Sequence, residues 1–105
     1  METKTIGLPK LNKLYPTLES TALKLMEEAG ELSEAIGKFR GMNGETVDLE
    51  DQQVLNLVTR ELLDVAQTAI TMMFVLEEQH GVDLNRSLDE HLEKLLEKGY
   101  LRFGS

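Results

Sequence analysis

Two groups of acidic residues have the spacing that a helix would turn into a chemical site. Residues 27–34 include four glutamates, of which Glu28 and Glu31 lie three positions apart. Glu61 and Asp64 repeat that spacing further along the chain. Residues three apart lie about 60° from each other around a helix, so each pair presents two carboxylates on one side. If the two helices face each other, four carboxylates surround one point.

The second pair interrupts an apolar stripe. On a helical wheel, Val54 and Met72 lie about 20° from Glu61, and Leu57 lies about 40° away. A carboxylate in such a stripe is paired, protonated or bound to a cation, because burying an isolated charge is costly. A site built from carboxylates alone suits Mg²⁺, or Mn²⁺ in its place, rather than zinc. The pattern therefore predicts a site for a hard divalent cation.

The composition limits the classes of protein that this chain can represent. Its 105 residues suit one domain, 1–105, and a hydrophobic content of 41% with 29% charged residues indicates a globular chain. A net charge of -8 predicts no binding to nucleic acid, and a phosphate ligand would need a bridging cation. The lack of cysteine excludes disulfides and zinc thiolates. With no apolar signal or membrane-spanning run, we expect a cytoplasmic protein without a membrane partner.

Turn residues and periodicity predict three helices, at about 16–40, 49–80 and 87–98. Pro16 suits a first helical turn, and Gly41 suits a helix end. Asp48 is predicted to cap the second helix, which Gly81 ends. Ser87 to Glu90 has the form of a capping box that opens the third helix, and Gly99 ends it. The predicted fold class is all-α.

The apolar residues predict how these helices pack. On the first helix we expect a buried stripe made of Leu18, Leu25, Ala29, Leu32 and Ile36. On the second, residues 62–76 are apolar almost all round, so this segment must be surrounded by other elements. One short chain hardly supplies enough neighbours. A homodimer or homotetramer is therefore the favoured prediction, and a monomer closed by the N-terminal segment is the alternative.

The acidic pattern resembles a known family. Glu27-Glu28-Ala29-Gly30-Glu31-Leu32 followed by Glu61-Leu62-Leu63-Asp64 is similar to the EExxE…ExxD signature of the MazG-like all-α nucleoside triphosphate pyrophosphohydrolases, to which the dimeric dUTPases are related. The resemblance implies a four-helix core completed by a second subunit, and hydrolysis of a (deoxy)nucleoside triphosphate to the monophosphate and pyrophosphate. It implies that Glu28, Glu31, Glu61 and Asp64 bind the metal. It also implies that Glu27 assists, by orienting the attacking water.

Other polar residues are weaker candidates for substrate binding. Lys38 and Arg40, near the end of the first helix, are candidates for holding pyrophosphate, although a solvated helix end is the favoured interpretation. Gln67 is a candidate for contacting a sugar or base, although a role in helix packing is the favoured interpretation. Lys24 lies one turn before Glu28, and an ion pair between them is expected.

Two other functions compete with the hydrolase. One is a non-catalytic helical interaction module that keeps the fold, against which the intact acidic motif argues. The other is a di-iron bundle, which requires two E-x-x-H pairs. Glu77 and His80 form one such pair, about four turns beyond Glu61. His91 has Leu88 three positions before it, so a second pair is missing and this alternative is rejected.

Overall fold

A computed structural model describes residues 1–40 and 51–102. Within these ranges the chain forms three α-helices and no strand, which confirms the all-α fold class. Helix α1 spans Leu18–Arg40, α2 spans Asp51–His80 and α3 spans Leu84–Glu97. The caps predicted at Asp48 and Gly41 lie outside the described residues. No helix in these ranges is long and apolar enough to cross a membrane.

Helix α1 begins two residues later than predicted because a side chain other than Pro16 fixes its start. The backbone N–H of Ser20 donates to the Thr17 hydroxyl at 3.0 Å, and the N–H of Thr17 donates to the Ser20 hydroxyl at 2.9 Å. This reciprocal pair is a capping box in which serine replaces the usual glutamate. Thr17 therefore caps α1, and Pro16 precedes the cap.

Helix α3 begins at Leu84, three residues before the predicted start. Asp83 is its N-cap, and its carboxylate accepts a hydrogen bond from the Arg86 backbone N–H at 3.1 Å. Ser87 is already inside the first turn, so the predicted capping box there is wrong. The predicted end is confirmed, because Gly99 has φ 77° and Tyr100 N–H bonds the Leu95 carbonyl, as in a Schellman motif.

The fold is an α1–α2 pair with two loosely attached parts. The N-terminal segment lies along α2, where the Gln79 amide donates to the Pro16 carbonyl at 3.0 Å and Lys10 forms an ion pair with Glu78. Few backbone contacts join helix α3 to the α1–α2 pair, and α3 contains no buried residue, although most of its leucines are half-buried. The radius of gyration is 17.1 Å, against roughly 13 Å for a compact domain of this length. The subunit is therefore open.

The buried face of α1 differs from the predicted stripe. Three residues spaced by seven, Thr21, Glu28 and Ala35, are at most 6% exposed, whereas Ile36 is 43% exposed. Of the predicted stripe, Ala29 and Ile36 are exposed, and Leu18, Leu25 and Leu32 are half-buried. On α2, by contrast, Val54 is 3% exposed, as its stripe predicted.

Candidate metal centre

The heptad spacing on α1 carries a glutamate into the helix interface. Glu28 lies two turns from both Thr21 and Ala35 on the face that packs against α2, and its side chain is only 8% exposed. Glu28 was not among the residues predicted to form the buried stripe of α1, but the structure buries it in the interface with α2. A glutamate buried to this degree needs partners for its charge.

Glu61 comes from α2 at the same level. It lies seven residues from Val54 and from Thr68, both of which are buried, and it is itself half-buried. Glu28 meets Glu61, while Thr21 and Thr68 line one common cavity. The two helices therefore run antiparallel, and they bring the two halves of the acidic motif together.

Three carboxylates form a cluster at this level of the interface. Glu28, Glu31 and Glu61 each place one oxygen within 4.8 Å of the others. Among the described residues, neither Oε2 of Glu28 nor Oε2 of Glu61 has a hydrogen-bond partner, although both atoms are buried. A buried oxygen that lacks a donor costs free energy, and an ionised one costs more. A positive charge or additional hydrogen-bond donors near these oxygens would therefore stabilise the cluster.

A lysine on the rim of the cluster meets part of this demand. The ammonium of Lys24 lies 2.9 Å from Oε1 of Glu28 and 3.9 Å from Oε2 of Glu27. The sequence predicted this i,i+4 ion pair. Glu28 thus has one oxygen held by Lys24 and the other left without a partner. Glu27 is more exposed, at 61%, and borders the cluster on the solvent side.

The crowding of charges raises the pKa values of two groups, which disfavours the ionised form of Glu31 and favours that of Lys24. The carboxylate of Glu28 is the main reason that the pKa of Glu31 is raised above 4.5, with smaller contributions from burial, Glu61 and Glu27. The hydrogen bond to Glu28, together with the charges of Glu27 and Glu28, raises the pKa of Lys24 above 10.5. Protons and cations are therefore both favoured here.

The donor set fits a hard divalent cation. All three side chains offer carboxylate oxygens, and two of those oxygens are buried without a donor. Mg²⁺ and Mn²⁺ prefer oxygen ligands, and Mg²⁺ is usually bound by one or two carboxylates together with waters or phosphate oxygens. The cluster can therefore hold a metal ion and leave coordination positions for another ligand.

Asp64 does not belong to the cluster, although the sequence predicted it as the fourth ligand. It lies one turn beyond Glu61 on α2 and is exposed. Its backbone carbonyl accepts a hydrogen bond from the Thr68 hydroxyl at 2.9 Å. The assignment of all four acids as metal ligands, with Glu27 assisting, stays a prediction.

The three predicted substrate contacts lie in different surroundings. Lys38 is half-buried ten residues beyond Glu28, which is about 15 Å along α1. Arg40 ends α1, and its side chain lies outside the described part of the structure. Gln67 donates to the Pro9 carbonyl at 2.9 Å and to the Thr71 hydroxyl at 3.3 Å. It therefore fastens the N-terminal segment to α2, a contact that no sequence pattern indicated.

The comparison with family models decides the family. The model for the MazG nucleotide pyrophosphohydrolase domain matches residues 16–100. The chain belongs to this family. The match includes all three helices, and therefore both halves of the acidic motif. No curated protein and no solved structure gives a significant match to the chain.

Proposed function

We propose that this MazG-domain protein is a metal-dependent nucleoside triphosphate pyrophosphohydrolase. Water attacks the substrate, the bond between the α-phosphorus and the bridging oxygen to the β-phosphorus breaks, and a nucleoside monophosphate and pyrophosphate leave. One observation carries the proposal beyond family membership. Three acids of the motif, Glu28, Glu31 and Glu61, form a cluster in which Glu28 and Glu61 each keep a buried oxygen without a partner.

We propose that the cation is Mg²⁺, which Mn²⁺ can replace. Glu28, Glu31 and Glu61 would hold it, and Asp64 would join them from its exposed position on the next turn of α2. When bound, the cation neutralises charge on the phosphates and makes water more acidic. It also explains how a chain of net charge -8 binds an anionic substrate.

The chain's own residues would orient the water. Glu27 lies beside Lys24, with Oε2 of the glutamate 3.9 Å from the ammonium. Its carboxylate is exposed enough to accept a hydrogen bond from a water molecule. A carboxylate in that position can take a proton from the water as the new bond to phosphorus forms. The buried Glu28 beside it has one oxygen on Lys24 and one facing no donor, so its proposed role is to hold the cation.

We further propose that the working form is a homodimer or homotetramer. Three large apolar residues in the segment 62–76, Leu62, Leu63 and Met73, are each more than 40% exposed in the subunit. Leu88 of α3 is also 55% exposed, and few backbone contacts join α3 to the α1–α2 pair. A second subunit that covers these surfaces would gain apolar burial and complete a four-helix core.

The reaction is tested by identifying the products. Canonical and damaged NTPs and dNTPs are incubated with the protein and Mg²⁺, and phosphorus NMR scores pyrophosphate against orthophosphate. We expect pyrophosphate and the monophosphate from at least one substrate, and no turnover in EDTA. Release of orthophosphate and a diphosphate would contradict the reaction. No turnover together with no calorimetric Mg²⁺ binding would favour the non-catalytic interaction module instead.

A further inference from the structure

Lys24 contacts the acidic cluster, but the proposed function assigns it no contact with the substrate. Its ammonium is 2.9 Å from a carboxylate oxygen of the buried Glu28, so it touches the cluster directly. Its own side chain is 55% exposed, and its stem carries four methylene groups. A lysine that is only half covered can exchange one oxygen partner for another at little cost.

The space beside Lys24 is open. A cavity of about 330 Å³ lies on the N-terminal side of α1, and Lys24 lines it together with Thr21, Thr68 and the segment 14–16. Three parts of the molecule, the N-terminal segment, α1 and α2, therefore form its walls. Both threonine hydroxyls donate to backbone carbonyls, so their remaining capacity is to accept hydrogen bonds. Lys24 is the cation at the boundary between this cavity and the carboxylates.

The charge balance changes when a divalent cation enters the cluster. Without the cation, Lys24 is the positive partner of Glu28. A divalent ion held by the same carboxylate takes over that role and repels the ammonium. A phosphate group bound beside the ion carries oxygens that attract the ammonium instead. The ion pair between Lys24 and Glu28 is therefore weaker when the cation is bound, which is also when a phosphate group can bind next to Lys24.

We propose that Lys24 exchanges partners during binding: it pairs with Glu28 in the metal-free protein and binds a phosphate group of the substrate once a divalent cation is held by the cluster. The substrate then enters from the side of the cavity that Lys24 lines. This inference rests on the proposed function, because it assigns a binding residue to that reaction. It replaces Lys38 and Arg40, the sequence-based candidates for phosphate binding, with a residue that touches the cluster.

The test compares Lys24→Met and Lys24→Gln with Lys24→Arg, which keeps the charge. Steady-state kinetics with saturating Mg²⁺ give KM and kcat, and calorimetry gives the Kd of Mg²⁺ alone and of a triphosphate analogue with an α,β-imido bridge. Since one charge-assisted contact is lost, we expect the neutral variants to raise KM and the analogue Kd roughly tenfold. Mg²⁺ binding should not weaken, and Lys24→Arg should restore most of the affinity.

The matched control is Arg86→Met, which removes the cation of another i,i+4 pair, the one that Arg86 forms with Glu90 at 3.4 Å on α3. It should leave all constants unchanged. If both neutral Lys24 variants keep the wild-type KM and analogue Kd, or if they weaken Mg²⁺ binding alone, the inference is overturned. A wild-type protein that binds the analogue but releases no pyrophosphate refutes the reaction, while the binding comparison still decides the role of Lys24. A wild-type protein that does not bind the analogue refutes both.

Discussion

Glu28 and Glu61 approach each other across the α1–α2 interface, with a carboxylate oxygen of each within 4.8 Å of the other and Oε2 of each buried without a partner. Two unit charges about 4 Å apart repel by about 1 kcal/mol in water, and by more where water is partly excluded. This relationship therefore opposes folding in the absence of a cation and favours it in the presence of one.

Glu61→Gln should abolish activity and raise the melting temperature of the metal-free protein. Glutamine keeps nearly the same shape but removes one of the crowded charges. A gain of about 1 kcal/mol corresponds to a rise of roughly 4–8 °C for a domain of this size. With saturating Mg²⁺ the order should reverse, because a ligand that binds the folded state stabilises it and the variant has lost one ligand. Melting curves with EDTA and with Mg²⁺ measure both effects.

The control for this substitution is Glu34→Gln. Glu34 lies on the same helix as Glu28, outside the motif, and is exposed. Its substitution should change neither melting temperature nor turnover appreciably. A Glu61→Gln protein that melts like the wild type in both conditions and still hydrolyses substrate would show that the cluster is not the site.

The stability of the metal-free protein should depend on pH through Glu31. Like charge on Glu28 is the main cause that raises the pKa of Glu31 above 4.5, its unfolded value. A group with a raised pKa in the folded state contributes stability that is fully present below the unfolded pKa and is lost as pH rises through the folded pKa. We therefore expect this contribution to fall as pH increases above 4.5.

Melting curves in EDTA between about pH 4 and pH 8 test this dependence. Glu31→Gln should lose the part of the pH dependence that Glu31 supplies, whereas Glu34→Gln should keep it. In Mg²⁺ the trend should oppose that of the metal-free protein, because the cation binds the ionised carboxylates. Identical pH profiles for the wild type and Glu31→Gln in EDTA would contradict the assignment of the crowding to this residue.

The oligomer should depend on the exposed Leu88 of α3. Leu88 is 55% exposed in the subunit, so Leu88→Glu costs the isolated subunit little but places a charge on a surface that a second subunit would bury. Light scattering should give a multiple of 11.8 kDa for the wild type and a lower mass for the variant. Glu93→Lys, on the opposite side of α3, should keep the wild-type mass. A wild-type monomer at micromolar concentration would refute the oligomer.

Sequence patterns predicted that acids of the two helices lie together, as Glu28, Glu31 and Glu61 do, but they did not predict the packing of α1. The period-three spacing of Glu28 with Glu31 survives small errors in helix position, because it depends only on local helical geometry. The buried face of α1 could not be derived in that way. Thr21 and Ala35 are buried although neither is strongly hydrophobic, because the residues of α1 that become buried depend on the shape of the partner helix as well as on hydrophobicity.

The errors at helix starts have a related cause. The N-cap of α3 is Asp83 rather than Ser87, which was the predicted cap. The sequence analysis considered only the capping box from Ser87 to Glu90, whereas the chain leaves α2 at Gly81, with φ 67°, and α3 already begins at Leu84. The contact of Gln67 with the Pro9 carbonyl joins residues 58 positions apart, and no local pattern indicates such a contact.

Asp64→Asn separates the role of a metal ligand from the effect of charge crowding. Asp64 is exposed and lies outside the group formed by Glu28, Glu31 and Glu61, so its charge is solvated in the metal-free protein. Removing that charge should leave the melting temperature in EDTA unchanged, unlike Glu61→Gln.

If Asp64 joins the cation when it binds, Asp64→Asn should still reduce turnover at least tenfold and weaken Mg²⁺ binding by a similar factor, as expected for the loss of a charged ligand. Calorimetry and product assays beside the two melting curves give the comparison. An Asp64→Asn protein with wild-type Mg²⁺ affinity and turnover would restrict the ligand set to the three clustered glutamates.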